Sequence, residues 1–259
     1  MRLARWLRSR MRSLAWPWLA LFVQATTTGC NAGEPESPKA WTPTEEERFA
    51  AQRASMVEEQ LALRDVTSSP VLSAMLAVPR HRFVPPSLAS HAYDDNPLPI
   101  GYGQTISQPY IVAIMTQLAN AKSGDKVLEV GTGAGYQAAV LAKIVGQVYT
   151  IEIDPGLAKT AKKRLADMGY ANVHVRAGDG YQGWPEEAPF DSILVTAAPN
   201  HVPQPLIDQL KVGGRLVIPV GDYYQQLRVI TRTPTGVRDE PVFDVRFVPM
   251  TGEAERHGK

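Results

Sequence analysis

The residues best suited to chemistry in this chain are acids and glycines at the ends of apolar runs. Val127-Leu128-Glu129-Val130-Gly131-Thr132-Gly133-Ala134-Gly135-Tyr136 reads as a buried strand entering a glycine-rich turn and then a helix. Such a turn lets a ligand approach bare backbone N–H groups at a helix N-terminus. A second run, Gln147 to Ile151, ends in Glu152 and Asp154. These acids follow the glycines by about 20 residues, the spacing at which a carboxylate bonds two ribose hydroxyls. A third run, Val173-His174-Val175, leads to Gly178-Asp179-Gly180. Each strand end offers a polar group suited to one part of a nucleoside.

The type of nucleoside follows from charge. A dinucleotide favours G-x-G-x-x-G, with glycines where the pyrophosphate meets the helix. Here the glycines are Gly131, Gly133 and Gly135, and Glu129 stands two residues before them. A carboxylate there repels a pyrophosphate and suits a cofactor with a cationic tail. S-adenosyl-L-methionine carries both a sulfonium and an ammonium. The pattern resembles that of the class I methyltransferases. The resemblance implies Glu129 and Gly131 near the methionine tail, Thr132 and Gly133 also on the cofactor, Glu152 on the ribose, and Asp179 with Gly180 at the adenine. Asp154 competes with Glu152 for the ribose; its other role would be to cap the helix after Pro155.

These residues need a scaffold, and its rhythm is visible. From Lys126 onward strands and helices alternate. The strands are Lys126 to Val130, Val148 to Ile151, Val173 to Arg176, Ser192 to Val195 and Arg215 to Pro219. The helices are Tyr136 to Val145, Pro155 to Met168 and Pro203 to Gln209. Alternation of this kind implies an α/β fold, a mostly parallel doubly wound sheet that binds ligands at the carboxyl ends of its strands. Gln226 to Pro249 reads as antiparallel strands with a turn near Pro234 to Gly236. Upstream, Glu45 to Leu63, Ser69 to Val78 and Pro109 to Ala121 have helical patterns, and Ala92 to Gln108 reads as a loop.

Composition bounds the function. The 259 residues are 44% hydrophobic and 20% charged, with a net charge of +1. These are globular values, with no electrostatic footprint for nucleic acid. The single cysteine, Cys30, excludes an internal disulfide, and no Cys/His cluster has metal-ligand spacing. Nothing requires more than a monomer. Residues 1–30 read as a signal peptide: five arginines without an acid, then the apolar run Leu14 to Ala25, too short for a transmembrane helix. The end, Thr27-Thr28-Gly29-Cys30, resembles a bacterial lipobox, although Thr27 departs from the usual aliphatic residue. Lipidation at Cys30 would give a membrane tether and a periplasmic location. The proline-bearing stretch 31–44 reads as a disordered tether, and 253–259 as a polar tail.

A more specific resemblance rests on six separated motifs. They are Gly103-Gln104-Thr105-Ile106-Ser107-Gln108-Pro109, Pro79-Arg80-His81-Arg82-Phe83-Val84-Pro85, Gly178-Asp179-Gly180-Tyr181, Pro189-Phe190-Asp191, the run Gly213 to Gly221, and Val248-Pro249-Met250-Thr251. In order over residues 45–252, they are similar to the protein-L-isoaspartate (D-aspartate) O-methyltransferase family. That family is mostly cytoplasmic, which sits awkwardly with an export signal, since S-adenosylmethionine is a cytosolic metabolite. The resemblance implies a methyltransferase sheet whose last strands are rearranged. It also implies isoaspartyl-containing proteins and peptides as substrates, methylated to start repair through a succinimide.

An isoaspartyl carboxylate has a pKa of about 3.5 and is already ionised at neutral pH, so it needs no general base. Ser107 is the expected catalytic residue, orienting that carboxylate with backbone N–H groups at the start of the next helix. Thr105, Ile106 and Tyr110 are expected beside the substrate, and Thr251 is expected to close over the cofactor. A plain N-cap role for Ser107 is the alternative. At the level of function, the alternatives are a nicotinamide oxidoreductase, an envelope binding module without chemistry, and a methyltransferase for another exported carboxylate.

Overall fold

The computed structural model describes residues 39–256. The expected signal segment, Cys30 and residues 31–38 of the expected tether lie outside the described residues. Nine strands form two sheets: a two-stranded hairpin, β1 (Leu98–Gly101) with β2 (Gln104–Ile106), and a seven-stranded main sheet. The main sheet has the order β5-β4-β3-β6-β7-β8-β9. Its strands are β3 (Lys126–Val130), β4 (Gln147–Glu152), β5 (Val173–Ala177), β6 (Phe190–Val195), β7 (Leu210–Val220), β8 (Gln225–Thr233) and β9 (Gly236–Val245). The first five run parallel, and β8 and β9 return antiparallel. The expected fold class is therefore present, and its last three strands neighbour one another in chain order.

Right-handed crossovers decide which face each helix covers. The chain moves outward from β3 to β5 through α4 (Tyr136–Ala142) and α5 (Pro155–Asp167), then jumps back to β6 and moves the other way through α6 (Gln204–Asp208). The apolar residues sort accordingly into two clusters. One holds Leu141 of α4 and Leu165 of α5, and the other holds Leu206 of α6. Strand β3 serves both, with Val127 in the first cluster and Leu128 in the second. This is the alternation of a strand buried on both faces.

Upstream helices pack on the first face. The expected helix Glu45 to Leu63 starts earlier and changes winding. Helix α1 runs Pro43–Ser55 and continues as a π-helix over Met56–Ala62. Its apolar residues explain the change: Met56 and Leu61, five apart, are both fully buried, and only the wider π turn brings such a spacing onto one face. Helix α2 (Ser69–Ala77) follows. Helix α3 (Pro109–Ala119) is apolar almost all round and buried accordingly, ending where Asn120 turns left-handed (φ 53°). Among the described residues no helix is long and apolar enough to cross a membrane.

The folded region extends past both expected boundaries. Thr42 and Glu45 form a reciprocal capping box on α1, and Trp41 packs edge-on against Phe49 at 5.0 Å. Residues 39–44 are therefore ordered by contacts, where composition alone suggested a tether. At the other end Ala254 is buried and the Glu253 N–H donates to Asp179 Oδ2 at 2.7 Å, so the tail starts later than residue 253. A chain starting at Glu45 loses the cap and the indole packing, together worth about 2 kcal/mol. Its melting temperature is expected to fall by roughly 4–8 °C relative to a chain starting at Lys39. Calorimetry of the two checks this, and equal melting temperatures would return residues 39–44 to the tether.

Candidate active site

The site sits where the strand order reverses, between the carboxyl ends of β3 and β6. Register aligns those ends: Val130 of β3 lies abreast of Ile151 on one side and Val195 on the other. Residues just past each end therefore converge. Gly131 to Ala134, Glu152, Gly180 and Thr196 all line one cavity of about 910 Å³, open mouth included. Hairpin residues Gln104 to Ser107, the α3 face Ile111, Val112 and Met115, and the strap Val248 to Thr251 complete the wall.

The glycine loop differs from the expectation in one respect that decides its ligand. Its N–H groups are not bare. Those of Gly131 and Thr132 donate to the Ile151 carbonyl at 2.8 and 3.2 Å, and that of Gly133 donates to Glu152 Oε2 at 2.8 Å. A loop committed in this way offers no nest for a pyrophosphate. The geometry thus goes against a dinucleotide.

The acids are arranged for a neutral or cationic ligand. Glu129 faces Thr150 across β3 and β4, and the Thr150 hydroxyl donates to Glu129 Oε2 at 2.5 Å. The Thr150 hydroxyl also meets Thr132 Oγ1 at 2.7 Å. Glu129 Oε1 is buried with no partner, a costly state for a carboxylate oxygen unless a ligand supplies a donor. Burial pushes the Glu129 carboxyl up to about 8; the Thr150 hydrogen bond opposes that shift and the nearby Glu152 adds to it. Glu152, the last residue of β4, lines the cavity, whereas Asp154 Oδ1 accepts from Leu157 N at 2.7 Å as the N-cap of α5. Of the two ribose candidates only Glu152 lines the cavity, its Oε2 and Oε1 accepting from the Gly133 and Asp154 N–H groups at 2.8 and 3.1 Å.

Two expected residues, Tyr110 and Asp179, do not line the cavity. The Tyr110 hydroxyl donates to Asp65 at 2.7 Å, and the Arg64 guanidinium lies 3.4 Å from the ring centroid. As residue N2 of α3 it points into the helix packing. The start of α3 is also not an open carboxylate seat, because the Tyr110 N–H donates to Asp95 Oδ1 at 3.0 Å. Asp95, which is paired with Arg64 at 2.8 Å, occupies it. The two Asp179 oxygens hold the N–H groups of Tyr181 and Glu253, at 2.9 and 2.7 Å. Gly180 is the cavity wall itself, and a Cβ there would overlap the Val130 side chain.

Ser107 and Thr105 do line the cavity with Ile106, and Thr251 lines it from the opposite strap. The N-cap of α3 is Gln108, so Ser107 is not a capping residue. Sequence reading missed Thr196. It follows β6 as Glu152 ends β4, and its hydroxyl donates to the carbonyls of Val130 and Gly131 at 3.1 and 2.8 Å. The strand-end rule that found the other three ends would have found it too.

The family model for protein-L-isoaspartate(D-aspartate) O-methyltransferase matches residues 51–255. The chain belongs to this family. It is 60% identical over 200 residues to the protein-L-isoaspartate O-methyltransferase of Gloeobacter violaceus, covering 76% of this chain and 98% of that one. It is 50% identical to protein-L-isoaspartate O-methyltransferase 2 of an Anaeromyxobacter species, covering 90% of this chain and 96% of that one. Among solved structures, a Plasmodium falciparum protein of the same name, holding S-adenosyl-L-homocysteine, superposes with a TM-score of 0.68. It is 29% identical, covering 77% of this chain and 98% of that one.

In this family member the cofactor is S-adenosyl-L-methionine, and the residues fit it. Orphaned Glu129 Oε1 suits a cationic tail, Glu152 suits a diol, and the bare Gly180 wall suits a flat ring. The raised Glu129 pKa has two consequences of opposite sign. A carboxyl whose folded pKa lies above its unfolded one costs stability as pH rises from the ordinary carboxylate range to about 8, and no further above that. Glu129→Gln is therefore expected to stabilise the cofactor-free protein at pH 9 by on the order of 2–4 kcal/mol. The same change is expected to weaken cofactor binding. In the unmutated protein a cation favours the ionised form, so cofactor affinity should rise with pH and level off above about 8. Denaturant melts and calorimetric binding at pH 6 and 9 test both. A stability difference between variant and parent that is the same at the two pH values, with tight cofactor binding retained, would show that Glu129 is neither strained nor a ligand.

Proposed function

We propose that this chain methylates the free carboxylate of isoaspartyl residues in damaged polypeptides, using S-adenosyl-L-methionine. The observation that carries the reading is the junction of Ser107 with the nucleoside-type wall in one cavity. The half-buried Ser107 side chain lines the mouth, and its hydroxyl bonds no other described residue. It is free to receive an acceptor oxygen.

When bound, the cofactor supplies an electrophilic methyl group on a sulfonium. The protein's share of the work is placement. The acceptor is already an anion, so no residue has to remove a proton. Ser107 donates a hydrogen bond to one carboxylate oxygen and leaves the other in line for attack. Thr105 and Ile106 flank it on the same strand end. Holding two reactants in line is worth up to roughly 7–11 kcal/mol of a barrier. Charge disappears as the anion meets the sulfonium, so an apolar surround favours the transition state. Ile106, Val112 and Met115 provide that surround.

Export belongs to the same reading. Arg2 to Arg12, the apolar run that follows and Cys30 support a lipid-anchored protein in the envelope, with a short tether ahead of Lys39 and a monomeric catalytic domain. If so, Cys30→Ser moves the protein from the membrane fraction to the soluble fraction of the envelope. An unchanged distribution on fractionation counts against the anchor.

Activity is tested with methyl-labelled cofactor and an isoaspartyl peptide beside its normal aspartyl twin. Base-labile label is expected on the isoaspartyl peptide alone. Ser107→Ala is expected to lower kcat/KM for the peptide by about 10²-fold, the loss of one charge-assisted hydrogen bond in the transition state, with cofactor affinity unchanged. Full activity in that variant would remove Ser107 from the mechanism.

A further inference from the structure

The turn joining β7 to β8 carries two consecutive tyrosines, Tyr223 and Tyr224, that are 99% and 95% exposed. No other large apolar side chain among the described residues is as bare. Isolated exposed apolar residues are common, but an adjacent pair of fully exposed rings is a surface with a use.

Its place in the fold says what use. Strands β6 and β7 are parallel, so the carboxyl end of β7 lies at the sheet edge where the site opens. The turn is hydrogen-bonded on both flanks to segments adjoining the cavity wall. On one side the Gly221 N–H donates to the Pro199 carbonyl at 2.9 Å, and the Ala198 N–H ties the same stretch to Val248. On the other, Gln225 grips the Phe247 backbone: Nε2 donates to its carbonyl at 3.1 Å and Oε1 accepts its N–H at 2.5 Å. Val248 and its neighbours line the cavity.

The shape of the turn is also constrained by close packing. Gly221 has φ +129°, and a Cβ there would overlap the Tyr224 carbonyl. The backbone that carries the rings is therefore tied at both flanks, so only the two side chains have to be ordered when something lands on them.

We propose that Tyr223 and Tyr224 form a docking platform for the polypeptide flanking the modified residue. This rests on the methyl-transfer reading above. A chain whose reactive carboxylate reaches Ser107 must lie across the mouth, and its neighbours must leave over the rim. Damage arises in many sequence contexts, so a grip on the flanking chain cannot depend on particular side chains. Tyrosine rings supply such a grip: each covers roughly 150–250 Å² of apolar or backbone surface and keeps a hydroxyl for a carbonyl.

The test compares the full chain with its Tyr223→Ala/Tyr224→Ala variant on two isoaspartyl substrates, one about five residues long and one about thirty. The expected result is a KM for the long substrate raised five- to twentyfold. The KM for the short one, kcat on both and cofactor affinity should stay unchanged. The Tyr→Phe pair should retain most of the effect of the rings. Equal KM values for the long substrate in variant and parent would overturn the platform while leaving the methyl-transfer reading intact. So would an equal loss on both lengths, which would mean that the turn merely shapes the site. Binding of the parent to anionic phospholipid vesicles, lost in the variant without a change in KM, would assign the rings to a membrane surface instead. If the parent binds cofactor but transfers no methyl to either substrate, the underlying reading fails and takes the platform with it.

Discussion

One register holds the site together. Val130 stands level with Ile151 and Val195, so three parallel strands end on one line. Gly131, Glu152 and Thr196, each the first residue past that line, all line the cavity. A slip of one residue in β4 would turn Glu152 to the opposite face of the sheet and set Thr150 away from Glu129. The Gly131 and Thr132 N–H groups bond the Ile151 carbonyl and so extend the pairing one step into the loop. The loop is thus an outgrowth of the sheet, and its shape is set by strand pairing more than by glycine freedom.

Within that frame the protein keeps a carboxylate where water cannot reach it. Glu129 is fully buried, one oxygen is engaged by Thr150 and the other has no partner. Proteins tolerate such groups where they bind or react. Here the second carboxylate, Glu152, lies close enough to raise the first further, and its own oxygen is satisfied by the Gly133 N–H. The pair is therefore asymmetric. One acid is stabilised by the loop, and the other waits for a cation. That asymmetry matches a ligand with a neutral diol at one end and a positive charge at the other.

Much of this was legible because it depends on local order. Strand ends, the acid after β4 and the glycines after β3 follow from short-range pattern, and the alternation of elements gave the sheet. What escaped depends on contacts across long sequence distances or on rare backbone states. The hairpin β1–β2 was hidden because its turn places Tyr102 at φ 53°, a conformation that a tyrosine seldom adopts. Tyr110 was misplaced because its neighbours Asp65 and Arg64 are some 45 positions away in sequence. Asp95 caps α3 from 15 residues before Tyr110, beyond the reach of a local capping pattern. The place of Asp179 after β5 is local pattern, whereas the docking of the C-terminal turn on it comes from 74 residues downstream.

That docking bears on how the cofactor site is closed. Asp179 holds Tyr181 N–H with one oxygen and Glu253 N–H with the other, so a single carboxylate joins the strand-end turn at Gly180 to the strap that ends at Thr251. Gly180 and Met250 both line the cavity, and Met250 N–H is itself bonded to the Ala198 carbonyl beyond β6. The C-terminal strap is thereby tied to two strand ends at once. The strap and the β1–β2 hairpin both line the cavity. A carboxylate outside the lining thus shapes the cavity, by fixing the backbone beside residues that line it.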